Sequence, residues 1–380
     1  MLYILIYIVL ALFSLAEINR KITFTQQRKF IILFCLLFLF LGAIRWETGT
    51  DWVPYYDYFL ISIKNPSASS FEWGYIASNQ FIRFFTDNYT VFLTLIALII
   101  FVFQYLCFKD IIQKSKTVIK EKNLIATKRP IFYPICSLFV IWSLYFGNVF
   151  FVRSTIAYLI CFFALVKFGA NKKHLRFILL VIVASLFHRT ALFFLPASYI
   201  YHRRFSRKKM IVLFFAGIIL GFLFLRYIAI HIISLISNPF FDRLALYLQN
   251  ANSQDYSLGY SIVFMILKGS INALLIIVIL FYFYKDIKKN KIILGLFNVY
   301  LFGSILYFIS LFTDIALARL ATPFLMTQII LIPYIFISRK YKNFSKGIMA
   351  VFFIVYLGLR FYLNITAYTS EFFPYKMFFI

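Results

Sequence analysis

Long apolar runs alternate with short basic segments along almost the whole chain. Most runs approach the roughly 20 residues that a helix needs to cross about 30 Å of hydrocarbon. The pattern predicts an all-α, polytopic membrane protein with about 12 transmembrane helices. Ten of the predicted spans are residues 1–16, 30–44, 88–108, 130–147, 151–168, 210–234, 260–284, 291–312, 319–338 and 346–368.

The segment 176–201 supplies the last two crossings. It is 26 residues long, lies between two basic segments, and carries His188-Arg189 at its middle, followed by Pro196. We predict two short half-helices, or a re-entrant pair, with His188 at the turn. Irregular backbone at membrane depth is tolerated only where protein or a water-filled cavity surrounds it. His188 is therefore expected to line a cavity.

Basic residues set the expected orientation. The chain carries 39 Lys and Arg against 13 Asp and Glu, a net charge of +26. A basic excess is also typical of nucleic-acid binding, but 28 of these residues form clusters in every second loop, as cytoplasmic loops do. We therefore predict no nucleic-acid partner, and both termini outside. The clusters are 20–29, 109–129, 167–176, 203–209, 285–291 and 339–346.

Composition predicts a single integral membrane domain over residues 1–380, with external loops near 45–87 and 236–259. Hydrophobic residues make up 63% of the chain and charged residues 14%, whereas soluble proteins have about 25% charged residues. The first apolar run lacks a basic n-region and a cleavage site, so it is expected to be a retained span and not a signal peptide.

Sequence signatures of cofactor and metal sites are missing. The four cysteines lie inside apolar runs without a C-x-x-C pair, which predicts buried thiols and neither disulfides nor a zinc site. The chain also has no P-loop, no H-E-x-x-H and no G-x-S-x-G. We predict no cofactor and no metal, and ATP-driven transport and zinc proteolysis are poorly supported.

Five arginines lie at or near the external ends of predicted spans. A charge at this depth is costly, so it usually faces the bundle interior and has a partner. Arginine binds phosphate bidentately, and several arginines at one level would suit a pyrophosphate. The alternative is helix-end anchors or local ion pairs. The arginines are Arg45, Arg153, Arg189, Arg243 and Arg319, and the local pairs would join Arg45 to Glu47 or Asp51, Arg243 to Asp242 and Arg319 to Asp314.

His188 and Asp51 are the candidates for proton transfer. A histidine in a wet cavity can accept a proton near neutral pH, although a lone histidine is more often structural. Asp51 follows a turn with Gly49, where glycine supplies unusual backbone angles. It could be an external carboxylate that holds a sugar hydroxyl or orients an arginine, or it could be the N-cap of a helix that begins near Val53-Pro54.

External aromatic residues have two interpretations. Amphipathic rings pack on the apolar face of a pyranose, so they could form a sugar-stacking platform. Aromatic residues also anchor membrane proteins at the interface with water. The residues concerned are Trp46, Trp52, Tyr55, Tyr56, Tyr58, Trp73 and Tyr75.

Five short motifs follow one another along the chain. They are IRWETGTDW at 44–52 followed by Tyr55-Tyr56, EWGY at 72–75, VRSTIA at 152–157, HRTAL at 188–192 and RLALY at 243–247. In this order they resemble the motifs of the EpsG-like family of Wzy-type polysaccharide polymerases. One position departs from the family, because Ser154 stands where a glutamine commonly follows the helix arginine. A role carried by that amide is therefore in doubt.

The resemblance implies a fold related to the GT-C membrane glycosyltransferases and a reaction at the periplasmic or extracellular face of the bacterial inner (cytoplasmic) membrane. A glycan on a polyprenyl-pyrophosphate carrier would be transferred to the terminal sugar hydroxyl of another lipid-linked repeat unit. His188 is then the first choice of base and Asp51 its rival. Arg153, Arg243 and Arg319 would clamp the diphosphate so that no metal is needed, while Arg45 would pair with Asp51 or contact an anionic sugar. The expected catalytic residues are His188, Asp51 and Arg153, and the expected substrate-binding residues are Arg45, Arg189, Arg243, Tyr247, Arg319 and Glu72.

Other functions stay open at this point. An O-antigen ligase would have similar external arginines and a histidine. A lipid-linked oligosaccharide flippase or another secondary transporter would also have about twelve spans and cationic cavity residues. An acyltransferase that modifies glycans is a third alternative. Expected partners are the lipid-linked oligosaccharide and membrane lipid, and chain-length regulators and flippases are candidate protein partners.

Overall fold

The computed structural model describes the chain except for residues 20, 50, 67–70, 122–131, 225–261, 312–318, 338–342, 367–368 and 380. Over the described residues the regular structure is helical, apart from β1 (Arg45–Trp46) and β2 (Lys376–Met377), which pair antiparallel. The prediction of an all-α fold is confirmed.

The α-helices follow one another in chain order. They are α1 (Leu2–Ile18), α2 (Phe24–Ile44), α3 (Trp52–Ile61), α4 (Trp73–Phe85), α5 (Tyr89–Glu121), α6 (Pro134–Leu144), α7 (Arg153–Lys167), α8 (His174–Ser185), α9 (Ala197–Tyr201), α10 (Arg207–Phe224), α11 (Ile262–Val278), α12 (Tyr284–Lys288), α13 (Lys291–Leu311), α14 (Thr322–Leu325), α15 (Gln328–Ile337), α16 (Asn343–Thr366) and α17 (Thr369–Phe372). Short 3₁₀ helices cover Phe146–Val149, Gly169–Asn171, Arg189–Phe194 and Arg319–Ala321, and a π-helical turn covers Ile279–Phe283.

The chain forms two compact units, Met1–Leu192 with Gln328–Ile380 and Phe193–Thr327. In the first unit α6 is the core, because every residue from Pro134 to Leu144 is buried. A helix that is apolar all round is typical of the centre of a bundle, and α6 packs against α1, α2, α15 and α16. Trp142 on α6 stacks on Phe38 of α2, with ring centroids 5.2 Å apart.

Close helix contact organises the second unit. Gly217 and Gly221 of α10 are spaced like a small-xxx-small motif, which lets helix backbones approach in a membrane. They face Ile305 and the Phe308–Ile309 backbone of α13, and a Cβ on Gly221 would lie 2.6 Å from the Phe308 carbonyl oxygen. Only glycine therefore fits at this crossing.

Six helical stretches among the described residues are long and apolar enough to cross a membrane, or seven if 319–336 counts as one broken span. The six are Thr25–Ile44, Tyr89–Ile112, Arg153–Asn171, Gly269–Lys288, Lys291–Ile309 and Gly347–Thr366. The total of twelve spans and the single integral domain stay predictions. The segment 236–259, predicted to be an external loop, lies outside the described residues, whereas the segment 45–87 contains α3 and α4.

The irregular segment 176–201 breaks as predicted. Helix α8 ends at Ser185, and the next helical turn begins only at Arg189. His188 lies in this break. The four cysteines are free and buried, which agrees with the prediction of inert thiols.

A buried carboxylate joins α1 to the start of α6. Glu17 is the last residue but one of α1, and its Oε2 accepts a hydrogen bond of 2.9 Å from the Cys136 backbone N–H. The first N–H groups of a helix have no partner within the helix. Glu17 therefore supplies from another helix the acceptor that the first turn of α6 lacks.

We expect Glu17→Ala to destabilise the protein by about 1–3 kcal/mol, because it leaves a buried backbone N–H without an acceptor. Glu17→Gln should keep most of the stability, since its amide oxygen can still accept. Thermal unfolding in detergent measures both. Equal transition temperatures for the two variants would show that the hydrogen bond contributes nothing.

Candidate functional site

The helix break at His188 is held by the start of α4. The Gly74 N–H donates to the Leu186 carbonyl oxygen at 2.7 Å, and the Arg189 N–H donates to Oε1 of Glu72 at 3.2 Å. Gly74 permits this approach, because a Cβ there would lie 2.8 Å from that carbonyl oxygen. The turn that carries His188 is thus fixed by two hydrogen bonds from a segment more than 100 residues earlier in the chain.

Glu72 also pairs with an arginine. Its Oε2 accepts from Nη1 of Arg153 at 2.6 Å, and both side chains are largely buried. Arg153 is the first residue of α7. A buried charge is tolerated when it is paired and hydrogen-bonded. One carboxylate therefore connects the start of α4, the start of α7 and the His188 turn.

Aromatic rings surround the Arg153 guanidinium. Its central carbon lies 4.4 Å from the ring centroid of Phe71, 5.2 Å from Tyr55 and 5.7 Å from Tyr75. Cations are attracted to ring faces at such distances, and the attraction grows when water is excluded. Arg153 is consequently held on several sides, and its charge is balanced by Glu72.

Tyr55 extends this network to Asp51. Its hydroxyl accepts from Nε of Arg153 at 2.9 Å and donates to Oδ2 of Asp51 at 3.2 Å. Burial and then the negative charge of Asp51 raise the pKa of Tyr55 to about 12. The hydroxyl therefore keeps its proton near neutral pH and can serve as donor and acceptor at once.

Asp51 occupies the N-cap position that the sequence allowed, whereas its proposed contact with a sugar hydroxyl stays a prediction. It is the N-cap residue of α3, but its side chain makes no capping hydrogen bond. The carboxylate instead reaches Tyr55. The preceding Gly49 has φ +104°, as expected for a glycine turn.

His188 is paired with Thr190 in the same turn. The Thr190 hydroxyl lies 2.6 Å from Nδ1 of His188. Tyr158 of α7 contacts both residues. Its hydroxyl lies 3.5 Å from the Thr190 hydroxyl, and its ring centroid lies 5.8 Å from that of His188. If Nδ1 carries the proton and donates to Thr190, Nε2 is left as a proton acceptor.

Arg189 differs from Arg153 in its surroundings. Its backbone is bound to Glu72, but its side chain is exposed. Among the described residues the Arg189 guanidinium makes no hydrogen bond or ion pair. It is therefore a cation whose charge is available next to His188.

The expected ion pairs of Arg45 are wrong. Arg45 is buried and donates from Nη1 to the Thr48 carbonyl oxygen at 2.9 Å. Glu47 instead pairs with Lys376 at 2.6 Å, because β1 runs beside β2 and brings that lysine to the loop. Asp51 is turned toward Tyr55. Burial lowers the pKa of Arg45.

The aromatic sugar platform is also largely wrong. Trp52, Tyr55, Tyr58 and Tyr75 are buried, and Trp46 packs on Trp52 with centroids 4.9 Å apart. A buried ring cannot present a face to a pyranose, so these four residues do not form a platform. Trp73 is exposed.

The remaining predicted residues lie in the second unit or outside the described residues. Arg319 begins a 3₁₀ helix of the second unit. Arg243 with Asp242, Tyr247 and Asp314 lie outside the described residues. The expectation that Arg153, His188, Arg243 and Arg319 share one cavity stays a prediction.

Sequence reasoning missed Thr190, Tyr158 and Phe71 as members of the site. Thr190 had a local signal, because a hydroxyl two residues after a histidine can reach its ring. Tyr158 and Phe71 had none, since their contacts with His188 and Arg153 come from chain segments 30 residues or more apart.

Comparison with known proteins supports one family. A model of the EpsG family matches residues 28–377, which includes every residue of the network from Arg45 to Thr190. The match confirms the resemblance that the five motifs indicate. No curated protein and no solved structure matches the chain.

We expect Gly74→Ala to destabilise the protein by about 1–3 kcal/mol, because the added methyl group overpacks against Leu186. The variant should also weaken the hydrogen bond between Glu72 and the Arg189 N–H in the His188 turn. Thermal unfolding in detergent measures the first effect.

Gly347→Ala is the matched control. A Cβ at Gly347 meets no atom within 4 Å, and alanine is favoured over glycine in a helix by about 0.5–1 kcal/mol. This variant should be as stable as the parent or slightly more so. The close approach at Gly74 has no structural role if both variants unfold at the parent's temperature.

Proposed function

Because the chain belongs to the EpsG family of Wzy-like polysaccharide polymerases, we propose that it elongates a glycan on the external face of the bacterial inner (cytoplasmic) membrane. The donor is a glycan linked to a polyprenyl-pyrophosphate carrier, and the acceptor is the terminal sugar hydroxyl of a second lipid-linked repeat unit. A GT-C-type architecture with about twelve spans is part of the proposal.

One observation carries the proposal. His188 and the exposed cation of Arg189 are adjacent on a turn that two hydrogen bonds fix to α4. Transfer from a diphosphate requires a base at the acceptor hydroxyl and positive charge at the leaving group. The two residues supply both within one turn.

The reaction follows from these positions. The acceptor oxygen bonds to the anomeric carbon while the bond from that carbon to the diphosphate oxygen breaks. The hydroxyl proton passes to Nε2 of His188, and the diphosphate leaves with its new negative charge facing Arg189. Arginine suits that role because its guanidinium can donate two parallel hydrogen bonds to phosphate oxygens.

Arg153 has a different task in this scheme. Its charge is already balanced by Glu72, and Tyr55 binds its Nε. We assign it to positioning, with Glu72 and Tyr55, in place of the diphosphate clamp that its sequence position suggested. Asp51 is the second candidate base, reached through Tyr55. Arg243, Tyr247 and Arg319 are proposed substrate-binding residues on sequence grounds alone.

The protein reconstituted in liposomes with polyprenyl-pyrophosphate-linked repeat units should yield a ladder of longer glycans and free carrier pyrophosphate. His188→Ala should abolish elongation and still bind the lipid-linked unit, because it loses the base. His174→Ala, a histidine at the start of α8, is the control and should elongate normally.

Three results would contradict this scheme. Repeat units that cross the liposome membrane without lengthening would identify a transporter. Normal elongation by His188→Ala would exclude His188 as the base. Transfer of glycan to a different lipid or to protein, with no ladder, would indicate a ligase.

Thr190 provides a finer test, because its hydroxyl is hydrogen-bonded to Nδ1 of His188 and so orients the imidazole ring. Thr190→Val keeps the shape without the hydroxyl, and we expect kcat to fall toward the roughly 10²–10⁴-fold loss of a general base while KM changes little. Thr190→Ser should restore kcat. A Thr190→Val enzyme with the parent's kcat would show that the hydroxyl does not orient His188.

A further inference from the structure

Helix α4 has two unlike faces. One face is buried and carries Tyr75, Asn79 and Ile82, with Glu72 at the N-cap. The opposite face exposes large aromatic side chains. These are Trp73 at 79%, Phe81 at 60%, Phe84 at 79% and Phe85 at 68% of their full surface.

The exposed face of α4 carries no available charge. The helix contains one charged residue, Arg83, which is turned back against the protein. Its Nη2 donates to the Leu60 carbonyl oxygen at 3.0 Å, and its Nη1 pairs with Asp87 beyond the end of the helix. The guanidinium also lies over the Phe59 ring. The exposed face of α4 is therefore aromatic and uncharged.

The length of α4 excludes a crossing. Thirteen residues at about 1.5 Å each give about 20 Å, which is shorter than the hydrocarbon core of about 30 Å. A helix that is too short to cross but exposes an apolar face can bury that face at the headgroup boundary and lie in the plane of the membrane interface. Tryptophan and other aromatic residues are favoured at that depth.

We propose that α4 lies along the headgroup boundary of one membrane leaflet, with Trp73, Phe81, Phe84 and Phe85 embedded in lipid. Continuity with a membrane span identifies lipid as the occupant. Three residues separate α4 from α5, whose stretch Tyr89–Ile112 is long and apolar enough to cross the membrane. The side chains of Val91, Leu98 and Val102 on that stretch are exposed.

This placement sets the height of the candidate site. Glu72 is the N-cap of α4, and it holds both Arg153 and the His188 turn. The site therefore lies within one helical turn of the headgroup level. At this height the site can reach the charge of a lipid-linked diphosphate, which lies at the headgroup level. This consequence for substrate binding rests on the proposed function. The lipid contact itself does not depend on the reaction.

Single-cysteine labelling tests the depth of α4. The four native cysteines are buried, so a thiol-reactive environment-sensitive fluorophore should label an introduced surface cysteine selectively. The full chain with Phe81→Cys or Phe84→Cys is reconstituted in liposomes that contain headgroup-spin-labelled or mid-chain-spin-labelled phosphatidylcholine. Iodide measures access from water.

Two exposed positions, one on α3 and one on the apolar stretch of α5, are the controls. Asp57→Cys is on the exposed face of α3 and should be quenched by iodide. Leu98→Cys is on α5 and should be quenched most by the mid-chain label. Fluorophores at 81 and 84 should be quenched several-fold more by the headgroup label than by iodide, and more by the headgroup label than by the mid-chain label.

Either of two results would overturn the proposal. Quenching by iodide at 81 and 84 to the extent seen at 57 would place the face in water. Protection from iodide and from both lipid labels, with cross-linking between labelled copies, would show that a second copy covers it. Neither result bears on whether the protein polymerises glycans, which the ladder assay decides separately.

Discussion

The carboxylate of Glu72 is the point on which the candidate site depends. It accepts hydrogen bonds from the Arg153 guanidinium and from the Arg189 backbone, and so joins α7 and the His188 turn to the start of α4. Removing one partner of a buried pair leaves a charge without compensation, which costs far more than the pair contributes. The three segments therefore have to be arranged together.

Aromatic packing makes this arrangement rigid. Phe71, Tyr55 and Tyr75 surround Arg153. Tyr158 packs against the Thr190–His188 pair. In lipid the outside of a bundle is as apolar as its inside, so association of helices relies on close packing and polar contacts. The buried rings and the ion pair supply both at the site, whereas the glycine contacts between α10 and α13 supply close packing in the second unit.

The division of roles between the two site arginines follows from their surroundings. Arg153 is enclosed and its charge is balanced, so it organises neighbouring groups. Arg189 has the same side chain one residue after His188, but it is exposed and makes no ion pair among the described residues. In the proposed scheme the same residue type therefore has a positioning task at Arg153 and a ligand-binding task at Arg189, and the surroundings of each side chain decide which.

Local sequence was enough for much of the fold. The length and spacing of apolar runs predicted the helices, because burial in lipid depends on the hydropathy of each segment alone. The interruption at His188 was visible as an overlong segment with basic flanks, and the ordered motifs identified the family.

The tertiary structure decided which charged side chains pair with one another. Glu72 and Arg153 are 81 residues apart, and Glu47 pairs with Lys376, 329 residues away, whereas the sequence suggested only neighbours such as Arg45 with Asp51. A hydropathy pattern reports which solvent a side chain prefers. It carries no information about which distant charge that side chain meets, because that meeting depends on how whole helices pack.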